Sequence, residues 1–74
     1  MTYLAIYEKT ATGCSAYAPD LPGCITTGRT LEETARLMQE AMDFHIEGLL
    51  EDGLPIPEPA TAAGYVEASA RPAA

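Results

Sequence analysis

The sequence predicts an α+β fold with the element order β-β-β-α-β, and three observations predict it. Up to Gly28, short β-branched and aromatic runs alternate with turn residues. After Thr30 comes one long stretch with apolar residues at three- and four-residue spacing. A proline-rich connector then leads to a last short strand-like run.

Tyr3 to Lys9 reads as strand one, with Leu4 and Ile6 alternating with Tyr3, Ala5 and Tyr7. Thr10 to Gly13 is a turn in which Gly13 is expected to supply a positive φ. Cys14 to Ala18 returns as strand two. Pro19-Asp20-Leu21-Pro22-Gly23 forms a rigid loop, because two prolines fix φ and Gly23 lets the chain turn. Cys24 to Thr27 is strand three, ended by Gly28.

Thr30 is the expected N-cap of the helix, with Glu33 at capping-box spacing. Leu31, Ala35, Met38, Met42, Ile46 and Leu49 form its apolar stripe; Glu32, Arg36, Glu40, Asp43, Glu47 and Glu51 form the solvated one. Gly53 is the expected left-handed stop, with Pro55 just beyond. Pro55 to Pro59 is a stiff extended connector, and Tyr65-Val66-Glu67 is a fourth strand candidate.

The first three strands form an antiparallel meander, and a right-handed crossover brings strand four beside strand one and parallel to it. The expected sheet order is therefore 3-2-1-4, with one helix on one face. Residues 1–68 form one domain and Ser69 to Ala74 a disordered tail. One sheet face remains uncovered, carrying either the Tyr3, Ala5, Tyr7 set or the Leu4, Ile6 set.

Four basic against eleven acidic side chains give a formal charge of −7. Nucleic acid is repelled by that balance, whereas a basic protein is attracted. The chain opens without a basic, apolar leader and has no stretch long enough for a membrane span, so a cytoplasmic location is expected. Cys14 and Cys24 are too few for a disulfide framework and read as buried free thiols. His45 is the sole histidine, and no metal or cofactor is called for.

Pro19-Asp20-Leu21-Pro22-Gly23-Cys24, Gly28, Thr30-Leu31-Glu32-Glu33, Glu40-Ala41 and the run Glu51 to Pro59 resemble the HicB-like antitoxin family over roughly Tyr3 to Val66. The resemblance implies a degenerate, partial ribonuclease-H-like fold. It also implies neutralisation of a HicA-like toxin, a small basic mRNA-cleaving ribonuclease, by direct protein–protein contact. Longer members continue into a DNA-binding domain; 74 residues hold the first module alone, so operator binding is not expected of it.

The ribonuclease-H likeness also raises a carboxylate site, in which strand four brings Glu67 beside Glu8 near Glu32 and Glu33. Glu32 lies on the solvated stripe and Lys9 adjoins Glu8, so a non-enzymatic module is the better reading. The rival from another class is a stand-alone homo-oligomeric ligand-binding or scaffold protein. Tyr17, Asp20, Leu21 and Pro22 are the candidate partner contacts, because the prolines leave that loop little entropy to lose on docking. Tyr3, Tyr7, Leu37 and Phe44 are the candidate homo-oligomer contacts: tyrosine is favoured at interfaces, and Leu37 and Phe44 lie beside the helix's core stripe rather than in it.

Overall fold

The computed structural model describes residues 1–70. It contains β1 (Ile6–Lys9), β2 (Cys14–Tyr17), β3 (Ile25–Gly28) and α1 (Leu31–Glu51). The strands form the expected antiparallel meander in the order β1-β2-β3. Ile6, Tyr17 and Ile25 share one cross-strand row; Tyr7, Ala16 and Thr26 share the next. Successive side chains alternate faces, and buried Cys14 and Ala16 mark the face under the helix. Tyr7 therefore belongs to the helix side, and Ile6, Tyr17 and Ile25 to the open side.

The core is small: Ala16, Ala18, Leu21, Cys24 and Met38, with Tyr3, Ala5, Ala41, Met42 and Ile46 packed against it. Cys14 and Cys24 are both buried and unpaired with each other, and burial pushes the Cys24 thiol pKa up. Regular pairing of β1 starts at Ile6 rather than Tyr3. Tyr3 nonetheless reaches the core and donates its hydroxyl to the Pro57 carbonyl, tying the connector down.

Both helix ends follow the sequence. The Thr30 hydroxyl accepts from the Glu33 N–H at 3.1 Å, as an N-cap should. The return bond is displaced by one residue, since the Glu33 carboxylate accepts from the Arg29 N–H at 3.3 Å. At the far end Gly53 adopts φ 66°, its N–H reaches the Leu50 carbonyl, and the Leu54 N–H reaches that of Leu49. That pair of bonds is a Schellman stop.

Three expectations are corrected. Gly13 does not have positive φ; among the described residues Gly23 and Gly53 do. Gly13 is needed for close approach instead, because a Cβ there would collide with the Gly28 carbonyl oxygen. Among the described residues no fourth strand is present: Tyr65 and Val66 are fully exposed and irregular, so the order is 3-2-1 without the 4. The helix also sits off-centre, over β3 and β2. Thr34 and Met38 are its buried residues, whereas Leu31 is 58% exposed and Ala35 faces solvent.

Thr34 is a core residue hidden in polar clothing. Its hydroxyl donates to the Thr30 carbonyl at 2.7 Å, and it seats the first helical turn against Gly28. Of the expected tail, Ser69 and Ala70 are exposed and irregular, and residues 71–74 lie outside the described residues.

Candidate functional site

The loop between β2 and β3 is two turns in series. The Leu21 N–H donates to the Ala18 carbonyl across Pro19-Asp20, and the Cys24 N–H donates to the Leu21 carbonyl across Pro22-Gly23. Proline at the first central position and Gly23 at φ 86° make the second a type II turn. The Ala18 N–H to Cys24 carbonyl bond, 3.1 Å, closes the loop at its base. Leu21 is completely buried and pins the loop to the core from below. As a direct partner contact Leu21 is therefore corrected: it holds the loop in shape and presents nothing outward.

Asp20 is engaged within the chain. One carboxylate oxygen accepts from the Ala60 and Thr61 N–H groups, both at 2.9 Å, and the other accepts from the Thr61 hydroxyl at 2.7 Å. The Thr61 and Ala60 backbone donors, with the Thr61 hydroxyl, hold its carboxyl pKa below the ordinary value. Aspartate here anchors the far end of the proline connector to the loop, so it meets a partner's base only if that anchor opens. Sequence spacing gave no signal for a contact across forty residues.

Tyr17 and Pro22 do present themselves. They border a shallow cleft with Gly23, Cys24 and Ile25, and the same three residues continue into a groove against the helix at Phe44, His45 and Gly48. Ile25 is 66% exposed and Phe44 79%. The result is one apolar surface running along the β3 edge from the loop to the helix flank. Phe44 has Glu40 and Glu47 as its helical neighbours at four and three residues, so acids border that surface. Ile25 was not singled out in the sequence, where it reads only as one residue of strand three.

The other candidates are dispersed. Tyr3 is committed to the core and connector; Leu37 is half-buried; Tyr7 lies at the opposite edge of the sheet from Phe44. Glu67 is not on a strand, so the Glu8, Glu67, Glu32, Glu33 arrangement is not assembled. Among the described residues no group of three or more His, Cys, Asp or Glu is placed to hold a metal ion. Nor is any described helix long and apolar enough to cross a membrane.

Among the described residues the chain is a three-stranded meander with one covering helix and a clamped proline connector. Residues 3–71 match the sequence profile of the HicB-like antitoxin of bacterial toxin-antitoxin systems, and the chain belongs to that family. It is 43% identical over 58 residues to an uncharacterised 14.9 kDa protein of Haemophilus phage HP1, covering 78% of this chain and 44% of that one. It is 35% identical over 61 residues to Antitoxin HicB 2 of Photorhabdus laumondii, covering 82% and 44% respectively. The chain thus spans less than half the length of both relatives. A chain of the solved HicA3 and HicB3 toxin-antitoxin complex is similar with a TM-score of 0.70 and 35% identity, over 81% of this chain and 70% of that one.

Proposed function

We propose that this chain neutralises a small, basic, HicA-like mRNA-cleaving toxin by direct contact, through the surface that runs from Tyr17 and Pro22 over Ile25 to Phe44. The observation that carries the reading is the pair of large apolar side chains, Ile25 and Phe44, left largely exposed on either side of one groove. An apolar centre with charged borders is the usual anatomy of a protein-binding patch. Its acidic border, in a chain of net charge −7, suits a basic partner. Family membership and the likeness to the HicA3 and HicB3 complex support the toxin as that partner. No catalytic step is assigned to the chain: its work is occlusion.

The test pairs the purified chain with the product of a neighbouring open reading frame for a small basic protein, in an RNA-cleavage assay. Ile25→Asp with Phe44→Asp places two charges in the patch centre, where truncation of an anchor costs about 2 kcal/mol or more. Both side chains are exposed, so the fold is retained and neutralisation should weaken by at least about tenfold. Full neutralisation by the folded double variant moves the interface off this surface. Absence of any basic neighbour that binds leaves the homo-oligomeric scaffold as the better account.

A further inference from the structure

We propose, resting on the docking surface assigned above, that Gly48 is its point of closest approach, where main chain of the basic partner lies directly against the backbone of α1.

Glycine is costly at this position. Gly48 stands inside α1, and its carbonyl accepts from the Asp52 N–H at 3.1 Å in ordinary helical fashion. Glycine there loses more backbone freedom on folding than any other residue, and alanine is the better helix former. The fold supplies no reason to carry that cost. Of the six glycines, Gly13 and Gly28 face atoms that a Cβ would strike, Gly23 and Gly53 have positive φ, and Gly64 lies outside helix and strand. Gly48 has neither positive φ nor a close neighbour: beyond the helix's own backbone, a Cβ there would meet nothing within 4 Å. It is not the helix stop either, since Gly53 serves that purpose. A glycine without an internal reason points to something outside the chain.

The space that a side chain would have taken belongs to the groove of about 480 Å³ between α1 and the start of β3. Gly48 lines it together with Phe44, one helical turn back, and with Ile25. Two protruding apolar side chains and a stretch of bare backbone therefore share one groove. A partner that buries Phe44 and Ile25 is brought down on Gly48. A partner's side chain needs no glycine to receive it, because the groove already has room. Main chain does need one, since two backbones come into contact where one of them carries no Cβ. Charge agrees with a basic occupant: Asp52 lines the groove, and no Lys or Arg does so among the described residues.

A methyl group at position 48 then acts oppositely on the free and the bound chain. In the free chain it enters open space and favours the helix. In the complex it stands about 1.5 Å out from Cα and props the partner away. A gap of about 0.5–1 Å already forfeits a quarter to a half of a dispersion contact. The loss therefore spreads from Gly48 to Phe44 and Ile25.

The experiment measures unfolding and binding on the same full-length variants, Gly48→Ala and Gly48→Gln, with the basic neighbour-encoded protein of the RNA-cleavage assay as the probe. Gly48→Ala should raise the thermal midpoint of the free chain and weaken binding at least about tenfold. Gly48→Gln, also a better helix former than glycine, should weaken binding further. A purely structural role cannot move the two readouts in opposite directions. In a complex of isotope-labelled chain and unlabelled partner, the Gly48 α-protons should show filtered nuclear Overhauser contacts to partner backbone protons. Undiminished binding by Gly48→Ala, a variant both less stable and weaker in binding, or the absence of those contacts would each overturn the proposal. Ile25→Asp with Phe44→Asp, measured alongside, separates two failures. Where that variant loses neutralisation and Gly48→Ala keeps it, the surface stands and the close approach falls. Where both keep it, or where the parent binds no basic neighbour, the surface and the close approach fall together.

Discussion

Gly28→Ala is the sharpest test of how this thin core is held. A Cβ at that position lies 2.5 Å from the Thr34 hydroxyl, 3.0 Å from its amide nitrogen and 3.2 Å from its Cα. Carbon–oxygen contacts settle near 3.3–3.6 Å, so the helix start must retreat from β3 by about 1 Å. Thr34 cannot simply rotate, because its hydroxyl is bonded to the Thr30 carbonyl at 2.7 Å in a fully buried site. Overpacking of this kind costs about 1–3 kcal/mol. A chain of this length has about 4–11 kcal/mol in all, and each kcal/mol moves the midpoint by about 4–8 °C. The assay is thermal and urea unfolding at fixed protein concentration. In a Thr34→Ala background the closest atom is gone while the two backbone contacts remain, so the Gly28→Ala penalty should shrink by at least about 0.5 kcal/mol without vanishing. Gly48→Ala is the control: a Cβ there meets nothing within 4 Å, and helix propensity should stabilise by about 0.8–1 kcal/mol. A Gly28→Ala protein as stable as the parent, or a penalty unchanged by Thr34→Ala, refutes the reasoning.

Two further outcomes are expected. Asp20 has a folded pKa lowered below its ordinary 3.8, so its clamp is fully stabilising above that value and is lost as pH falls through the depressed one. The Ala60 and Thr61 amide resonances should therefore titrate together with a midpoint below 3.8, and a midpoint at or above it would contradict the assignment. Thr30→Ala removes the N-cap bond to Glu33 and should destabilise by about 1 kcal/mol in urea unfolding, with Thr30→Ser restoring most of the loss.

Local chemistry made most of this fold legible. The two turns of the β2–β3 loop, the Thr30 cap and the Gly53 stop each depend on residues within a few positions of one another, where proline, glycine and hydroxyl chemistry decide the backbone. What was misjudged depends on distance. The apolar stripe through Leu31 and Ala35 was read as fully covered because periodicity says which side of a helix is apolar, not how wide the sheet beneath it is. Gly13 was misassigned and Thr34 passed over because their roles come from close approach to Gly28, which no spacing rule encodes. At the candidate site the same division holds. Tyr17, Pro22 and Phe44 were legible as exposed or interface-prone, whereas the burial of Leu21 and the occupation of Asp20 by Thr61 come from tertiary contacts. Tyr65-Val66-Glu67 was read as a strand on propensity; a strand needs pairing as well, and among the described residues this segment pairs with none.

Self-association and toxin binding draw on the chain's charge in different ways. Their charge dependence should differ in sign. Self-association brings together two chains of −7 each. Long-range repulsion then opposes dimerisation and short-range apolar packing drives it. Raising salt from 0.1 M to 1 M shortens the screening length from about 10 Å to about 3 Å, so the dimer should tighten. A basic toxin gains from the same long-range field, and its complex should weaken over that range, chiefly through a slower association rate. Sedimentation of the chain alone and surface-plasmon kinetics of the complex, measured over one salt series, read the two responses separately. A dimer that loosens with salt would place ion pairs at the self-association contact, and a complex indifferent to salt would remove charge attraction from the account of partner choice.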